Sequence, residues 1–244
     1  MAIAEASPSQ RAEVVSNSAD SYAVAFPNNV AANDLLIVIG TIFDSDGTPA
    51  SVAVTDSLGN TYNTSITSSP FSLYRVFIAY AISSSGGACT VTVNPGGNAS
   101  NSYASFTIDA FTGVHTTTPL DVDGGGATGT SSSPSDTLTT TVANSLLIGV
   151  MCYSQATIVD TPIGVGSGFT HINSHSDNIS DLAYAAEFKL ATTATSYTVD
   201  FAITVASVPT SVTWGVHTAA FIEAGGAATR IKDVIYAGVL PKKR

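Results

Sequence analysis

Charge is scarce in this chain: only 11% of its 244 residues are Asp, Glu, Lys or Arg, against roughly 25% in an ordinary soluble domain. Positive charge is scarcer still. Of 8 basic residues, 5 stand in the last fifteen positions: Arg230, Lys232, Lys242, Lys243 and Arg244. The rest of the chain sets Arg11, Arg75 and Lys189 against seventeen acids. A body so acidic repels phosphate, which argues against nucleic acid as a partner of its surface. Long apolar runs are missing too. Although 44% of residues are hydrophobic, none of the runs approaches the roughly 18 consecutive apolar residues of a membrane-spanning helix. With 2 cysteines, Cys89 and Cys152, the chain has too few for a disulfide scaffold. Both lie in apolar runs, where a buried free thiol is the simpler expectation and a disulfide the alternative. The opening residues, Met-Ala-Ile-Ala-Glu-Ala-Ser-Pro, combine neither a basic n-region nor an apolar h-region, so no secretory signal is expected in the chain as it stands.

What fills the deficit is Ser, Thr, Gly, Ala and Asn. Ser, Thr and Asn compete with the helix for backbone hydrogen bonds, so this composition favours strands and turns. The apolar residues either alternate or form short runs closed by Gly, Pro, Asn or Asp, which are strand signals. Strands are expected at Tyr22–Phe26, Leu35–Thr41, Ser51–Thr55, Leu73–Ile82, Cys89–Val93 and Tyr103–Phe111. A second set is expected at Thr137–Val142, Leu146–Tyr153, Ala183–Leu190, Tyr197–Ile203 and Val212–Glu223.

The two sets run in parallel. Asn33-Asp34-Leu35-Leu36 answers Asn144-Ser145-Leu146-Leu147, and Ser57-Leu58-Gly59-Asn60-Thr61 answers Gly166-Ser167-Gly168-Phe169-Thr170. Ala79-Tyr80-Ala81 answers Ala183-Tyr184-Ala185, Thr90-Val91 answers Thr198-Val199, and Ala110-Phe111 answers Ala220-Phe221. An ordered series of this kind points to a duplicated unit. The expected organisation is an N-terminal arm (1–17), a first antiparallel β-sandwich or jelly-roll unit (18–123), a Gly/Ser/Thr linker (124–136), a second unit (137–225) and a basic tail (226–244). The linker reading rests on Gly124-Gly125-Gly126 and on the Ser and Thr that fill ten of the sixteen positions from Ala127 to Val142. Pattern leaves open whether the units make two sandwiches or one large one.

Several of these segments resemble β-sandwich modules of tailed-phage virion proteins and bacterial surface proteins. The resembling residues are Val30 to Leu36, Val54-Thr55-Asp56-Ser57-Leu58-Gly59-Asn60-Thr61-Tyr62, Ala79-Tyr80-Ala81, Phe111-Thr112-Gly113-Val114 and Thr118-Pro119-Leu120-Asp121. The resemblance implies a sandwich with a virion or adhesive role, and it brings no catalytic residues with it.

Chemistry-bearing groups are few. His171 and His175 are four apart, and in a strand that places them about 13 Å apart, too far to share one metal. His115 sits in a turn and His217 within a strand. Gly164-Val165-Gly166-Ser167-Gly168 lacks the spacing of a nucleophile elbow and is followed by no helix, so it reads as a hairpin loop. Asp44 with Asp46, and Asp121 with Asp123, border glycines in turns and are the candidate calcium ligands, although neither loop completes an EF-hand pattern. No other cofactor is expected. The single Trp, Trp214, lies in an apolar alternation and is assigned to the core. Tyr62, Tyr74, Tyr103, Tyr153 and Tyr197 are the residues a sugar platform would draw on.

The tail is unlike the body. Ile231, Val234 and Ile235 are spaced for one face of a short helix, and the same stretch could instead extend as an added strand. From Gly226 onward the chain carries five basic residues and one acid, a net +4, against −14 for everything before it. Arg230, Ile231, Lys232, Val234, Ile235, Leu240, Lys242, Lys243 and Arg244 are the candidate assembly residues. The function expected is a non-enzymatic virion structural protein (capsid, decoration, fibre or tail surface) partnered by itself or by other virion subunits. The alternative is a glycan-binding or adhesive module, or an extracellular filament subunit.

Overall fold

The computed structural model describes residues 2–17, 19–44, 52–68, 73–96, 102–154, 163–177, 182–203 and 212–225. Among them every regular element is a β-strand. In the first half these are β1 (Ala4–Glu5), β2 (Ala12–Asn17), β3 (Tyr22–Ala25), β4 (Leu35–Asp44), β5 (Ala53–Asp56), β6 (Asn63–Ser68), β7 (Tyr74–Ile82), β8 (Thr90–Asn94) and β9 (Ser102–Thr112). In the second they are β10 (Leu120–Asp123), β11 (Ala127–Ser131), β12 (Ser135–Thr139), β13 (Ser145–Ser154), β14 (Ile163–Gly164), β15 (Thr170–Asp177), β16 (Leu182–Ala191), β17 (Ser196–Asp200), β18 (Ala202–Ile203) and β19 (Val212–Ile222).

Two six-stranded antiparallel sheets dominate. One has the order β1-β9-β4-β7-β6 with β2 also on β9; the other has β10-β19-β13-β16-β15 with β11 also on β19. Numbered from the start of each half, the two orders follow one plan. Register agrees as well: Leu35 faces Ile82 and Phe111 across its two ladders, as Leu146 faces Leu190 and Phe221. Asn33 (φ 72°) and Asn144 (φ 57°), which lead into β4 and β13, are the non-glycine residues with positive φ among those described. Asn tolerates that conformation better than other side chains, so the same residue stands at the same bend. The Ala-Tyr-Ala match is the exception. The ladders align Ile82 with Leu190, which leaves Tyr80 opposite Phe188 in the correspondence and Tyr184 four residues out of step.

Alternation along β4 and β13 explains the layering. On β4, Leu36, Val38 and Ile42 point into a core completed by Tyr22, Val54, Val91 and Val93 of the three-stranded sheet β3-β8-β5. On β13, Leu147, Met151 and Tyr153 point to Leu138, Val199 and Ile203 of the small pairs β12-β17 and β14-β18. The opposite faces, Leu35, Ile37 and Ile39 on β4 and Leu146, Ile148, Val150 and Cys152 on β13, meet each other in a third core. The result is four layers, with the two large sheets back to back at the centre and a small sheet outside each. Strands buried on both faces read as continuous apolar runs, which is why Leu35–Val38 and Leu146–Ile148 carry no polar alternation.

Three expectations change. Residues 4–5 and 12–17 do not form a detached arm; β1 and β2 complete the first large sheet on β9. Residues 124–136 are not a free linker, because Ala127–Ser131 pair in register with Val212–Val216 of β19. Gly164–Gly168 is not a hairpin: β14 pairs with β18 and β15 with β16, so the turn at Gly168 (φ 76°) carries the chain from the outer layer into the large sheet. Cys89 and Cys152 form no disulfide and are buried in different cores.

Packing over the centre of β13 is tight. A Cβ built on Gly149 would stand 2.3 Å from Cγ1 of Val199. Gly149→Ala is therefore expected to destabilise the protein by about 1–3 kcal/mol, the usual cost of overpacking a core. Adding Val199→Ala should recover part of that loss in urea denaturation; two additive penalties would contradict the contact.

Candidate functional site: a polar seam and two grooves

The seam between the large sheets is polar along one edge. Arg11, just before β2, donates from Nε and Nη2 to Oδ2 of Asp109 at 3.1 and 3.0 Å, and it also pairs with Glu5. Its Nη1 reaches across to the carbonyls of Ile172 (2.9 Å) and His171 (3.4 Å) on β15. One side chain thus ties the first sheet to the second. Asp109 is only 1% exposed. Burial pushes its carboxyl up to about 6 even though Arg11 pulls the other way. Beside this pair, Asn173 donates to Glu13, to Oγ1 of Thr107 (3.0 Å) and to the Tyr184 hydroxyl (3.2 Å), while Thr107 and Tyr184 share a hydrogen bond of 2.7 Å. Burial raises the Tyr184 phenol well above its ordinary value.

At the register position on β19 equivalent to Thr107 stands His217, buried and 3.2 Å from Asp123. Burial lowers its proton affinity while Asp123 and Asp136 raise it. Asp136 also accepts from Oγ1 of Thr218 at 2.8 Å. A third buried group belongs to the second unit alone. Glu187 of β16 is fully buried, accepts from the Gly166 amide at 2.7 Å, and leaves Oε1 without a hydrogen-bond partner. Burial is the main cause pushing this carboxyl up to about 8.

The expected calcium ligands are drawn into other work. Asp121 accepts from the amide and hydroxyl of Thr141, whereas Asp123 accepts from the Gly125 amide and approaches His217. Asp44 ends β4, and Asp46 lies outside the described residues, as does the whole of 226–244 with its candidate assembly residues. Among the described residues no three His, Cys, Asp or Glu side chains converge as a metal set. His171 and His175 lie on β15, whose register shifts between His171 and Asn173, and Nδ1 of His115 accepts from the Thr118 amide. The Asp56 carboxylate is the centre of the expected turn, taking hydrogen bonds from the amides of Leu58 and Asn60 and from the Asn60 and Tyr62 side chains. Trp214 is core, as expected, with Nε1 donating to Ser131 at 2.9 Å. Tyr74 and Tyr153 are buried, Tyr103 packs on Phe43, and the Tyr197 hydroxyl donates to the Thr193 carbonyl.

Two grooves open where the halves meet. The first, about 350 Å³, is walled by Asn60, Thr61 and Asn63 after β5, by Tyr80, Ile82 and Ser84, and by Thr116, Thr117 and Pro119 leading into β10. The second, about 250 Å³, is walled by Leu190, Ala191 and Thr192 at the end of β16, by Ala2 and Ile3 leading into β1, and by Asn144 and Glu223. They occupy corresponding places in the two halves. The sequence contained the signal for neither the seam nor the grooves, because Arg11 and Ile172 of the seam stand 161 positions apart and Ala2 and Glu223 of the second groove 221.

The comparisons found no family model, no curated protein and no solved structure that matches this chain. No helix is long and apolar enough to cross a membrane among the described residues.

Proposed function

We propose that this chain is a non-catalytic structural subunit of a virion or similar extracellular assembly, descended from an internal duplication. The disposition of charge carries the reading. The body before Gly226 has a net −14 and the segment from Gly226 onward a net +4, while Arg11 of the body is held by Glu5 and Asp109, and Asp123 faces His217. Opposite net charges on body and tail steer subunits together, and burial of Ile231, Val234, Ile235 and Leu240 supplies affinity. The shared strand order supports the duplication, and the sparse, hydroxyl-rich composition suits a shell or fibre surface. Calcium at the aspartate loops forms no part of this proposal.

The test is solution mass by light scattering on a sizing column at about 0.1 M and 1 M salt, where screening shortens the Debye length from about 10 to 3 Å. An oligomer that shrinks at high salt, and a single-chain mass after deletion of 226–244, are the expected results. A monomer at both salts would remove the assembly reading. It would favour a second one, a neutral glycan held in the first groove, whose Tyr80 ring, Thr61, Thr116, Thr117 and Asn63 offer one aromatic face and uncharged hydrogen-bonding groups.

A further inference from the structure

Leu190 stands at the end of β16 with 47% of its surface exposed; it and Val15 are the exposed large apolar residues among those described. Its counterpart in the first half is different. Ile82, at the same register position, packs against the shared core. The groove beside Ile82 is walled by Thr116, Thr117 and Pro119, which belong to the segment that leaves β9. The groove beside Leu190 has only Ala2 and Ile3 on that side. The segment that leaves β19 is the basic tail, and it departs from this rim: Glu223 lines the groove, and the chain passes Gly225 two residues later.

We propose that the groove beside Leu190 receives the apolar residues Ile231, Val234 and Ile235 from the 226–244 segment of a second copy of the chain. This inference rests on the assembly reading above and names the surface that the tail docks on. Size favours side chains over a free ligand, since about 250 Å³ lies below the roughly 300–1,000 Å³ of small-molecule sites. Charge agrees, because Glu223 borders the groove and Arg230 and Lys232 flank Ile231. The second copy follows from the assembly reading: the tail's root and the groove share one rim, so a two-fold pair across that rim would set each root against the other's groove and make the contact twice. Ile231 lies six positions beyond Gly225, a reach of about 20 Å when extended, which spans such a rim.

Two measurements on the full-length chain decide it. Leu190→Asp places a charge where the tail's apolar residues would lie, at a position exposed enough that folding is unaffected; Leu190→Ser is the milder control. Leu190→Asp is expected to weaken self-association at least tenfold by sedimentation, as deletion of 226–244 does, and the two changes combined should add nothing. Separately, a tagged Leu190→Cys chain is mixed with an untagged Ile235→Cys chain and oxidised, with the unmodified chain as control for Cys89 and Cys152. A covalent heterodimer is expected. If deletion dissociates the assembly while Leu190→Asp leaves it intact, the groove is not the acceptor, although the assembly reading stands. If a chain carrying both cysteines closes on itself within a monomer, the occupant is its own tail and the exchange is wrong. A wild-type monomer at every concentration removes the assembly reading and this inference with it.

Discussion

Arg11→Ala should cost about 3–5 kcal/mol, the range for breaking a buried ion pair by removing one partner. The Asp109 carboxylate is 1% exposed and would be left without its cation. The Ile172 carbonyl would lose its donor across the seam at the same time. Removing both charges is a different matter. Arg11→Met with Asp109→Asn should be much closer to wild type, because no uncompensated charge stays buried. The pH dependence follows from the raised carboxyl. Asp109 holds its proton up to about 6, against an ordinary 3.8, so the folded state binds a proton that the unfolded chain has already released. Stability attributable to this group is full below about 3.8 and declines as pH rises to about 6. Without Arg11 the carboxyl moves higher still, and the decline extends toward neutral pH. Urea midpoints of wild type and Arg11→Ala between pH 3 and 8 check this. A penalty that is the same at every pH would mean that Arg11 acts through packing alone.

Glu187→Gln is expected to stabilise the protein in alkaline solution and to change nothing in acid. The glutamate is wholly buried, one oxygen accepts from Gly166, and Oε1 has no hydrogen-bond partner, a setting that favours the neutral carboxyl. Its pKa lies at about 8 rather than 4.5. The folded state therefore keeps a proton that the unfolded chain gives up. The corresponding stability is complete below about 4.5, falls as pH rises, and is lost above about 8. At about 1.4 kcal/mol for each tenfold change in proton affinity, the amide variant should gain a few kcal/mol near pH 9 and match wild type near pH 4. Gln preserves the shape and the acceptor for the Gly166 amide. Parallel stability curves across that range would show that Glu187 does not titrate in this interval. In the first half the same register position is Ala79, opposite Val38, where the second half pairs Glu187 with Gly149. The glycine makes room for Val199, and the carboxylate marks the point where the two halves diverge.

Much of the fold was legible in the residues. Every strand expected from alternation or a closed apolar run is present, because those strands are buried and burial demands the pattern, although Tyr197–Ile203 divides at Phe201 into β17 and β18 in different sheets. The strands that escaped notice, β1, β2, β6, β10, β11, β14 and β15, are short or rich in Ser, Thr and Asn. Asn-Thr-Ser-Ile-Thr-Ser at β6 and Ala-Thr-Gly-Thr-Ser at β11 lie at the borders of their sheets. An edge strand takes its hydrogen bonds from one neighbour and leaves much of itself to water, so little apolar periodicity is required of it. The Ser/Thr stretch read as a linker is such an edge. The apparent Ala-Tyr-Ala repeat misled in another way, since short identities on strands of similar composition do not define register. Asp121 and Asp123 were grouped by proximity in sequence. A register shift in β10 between Leu120 and Val122 separates their tasks, sending one to Thr141 and the other to His217.

The sequence alone determined the β class, the eleven main strands, the core assignment of Trp214 and the contrast between an acidic body and a basic tail. Those follow from local rules: side chains alternate on a strand, turns need Gly, Asn and Asp, and charge can be counted. Only the tertiary structure decided that the two halves fuse back to back, that Arg11 reaches Asp109 and Ile172, and that grooves flank Ile82 and Leu190. An apolar strand with both faces covered has the same pattern whatever covers it. The partner of each face is chosen by contacts between residues some hundred positions apart, and no local periodicity encodes that choice.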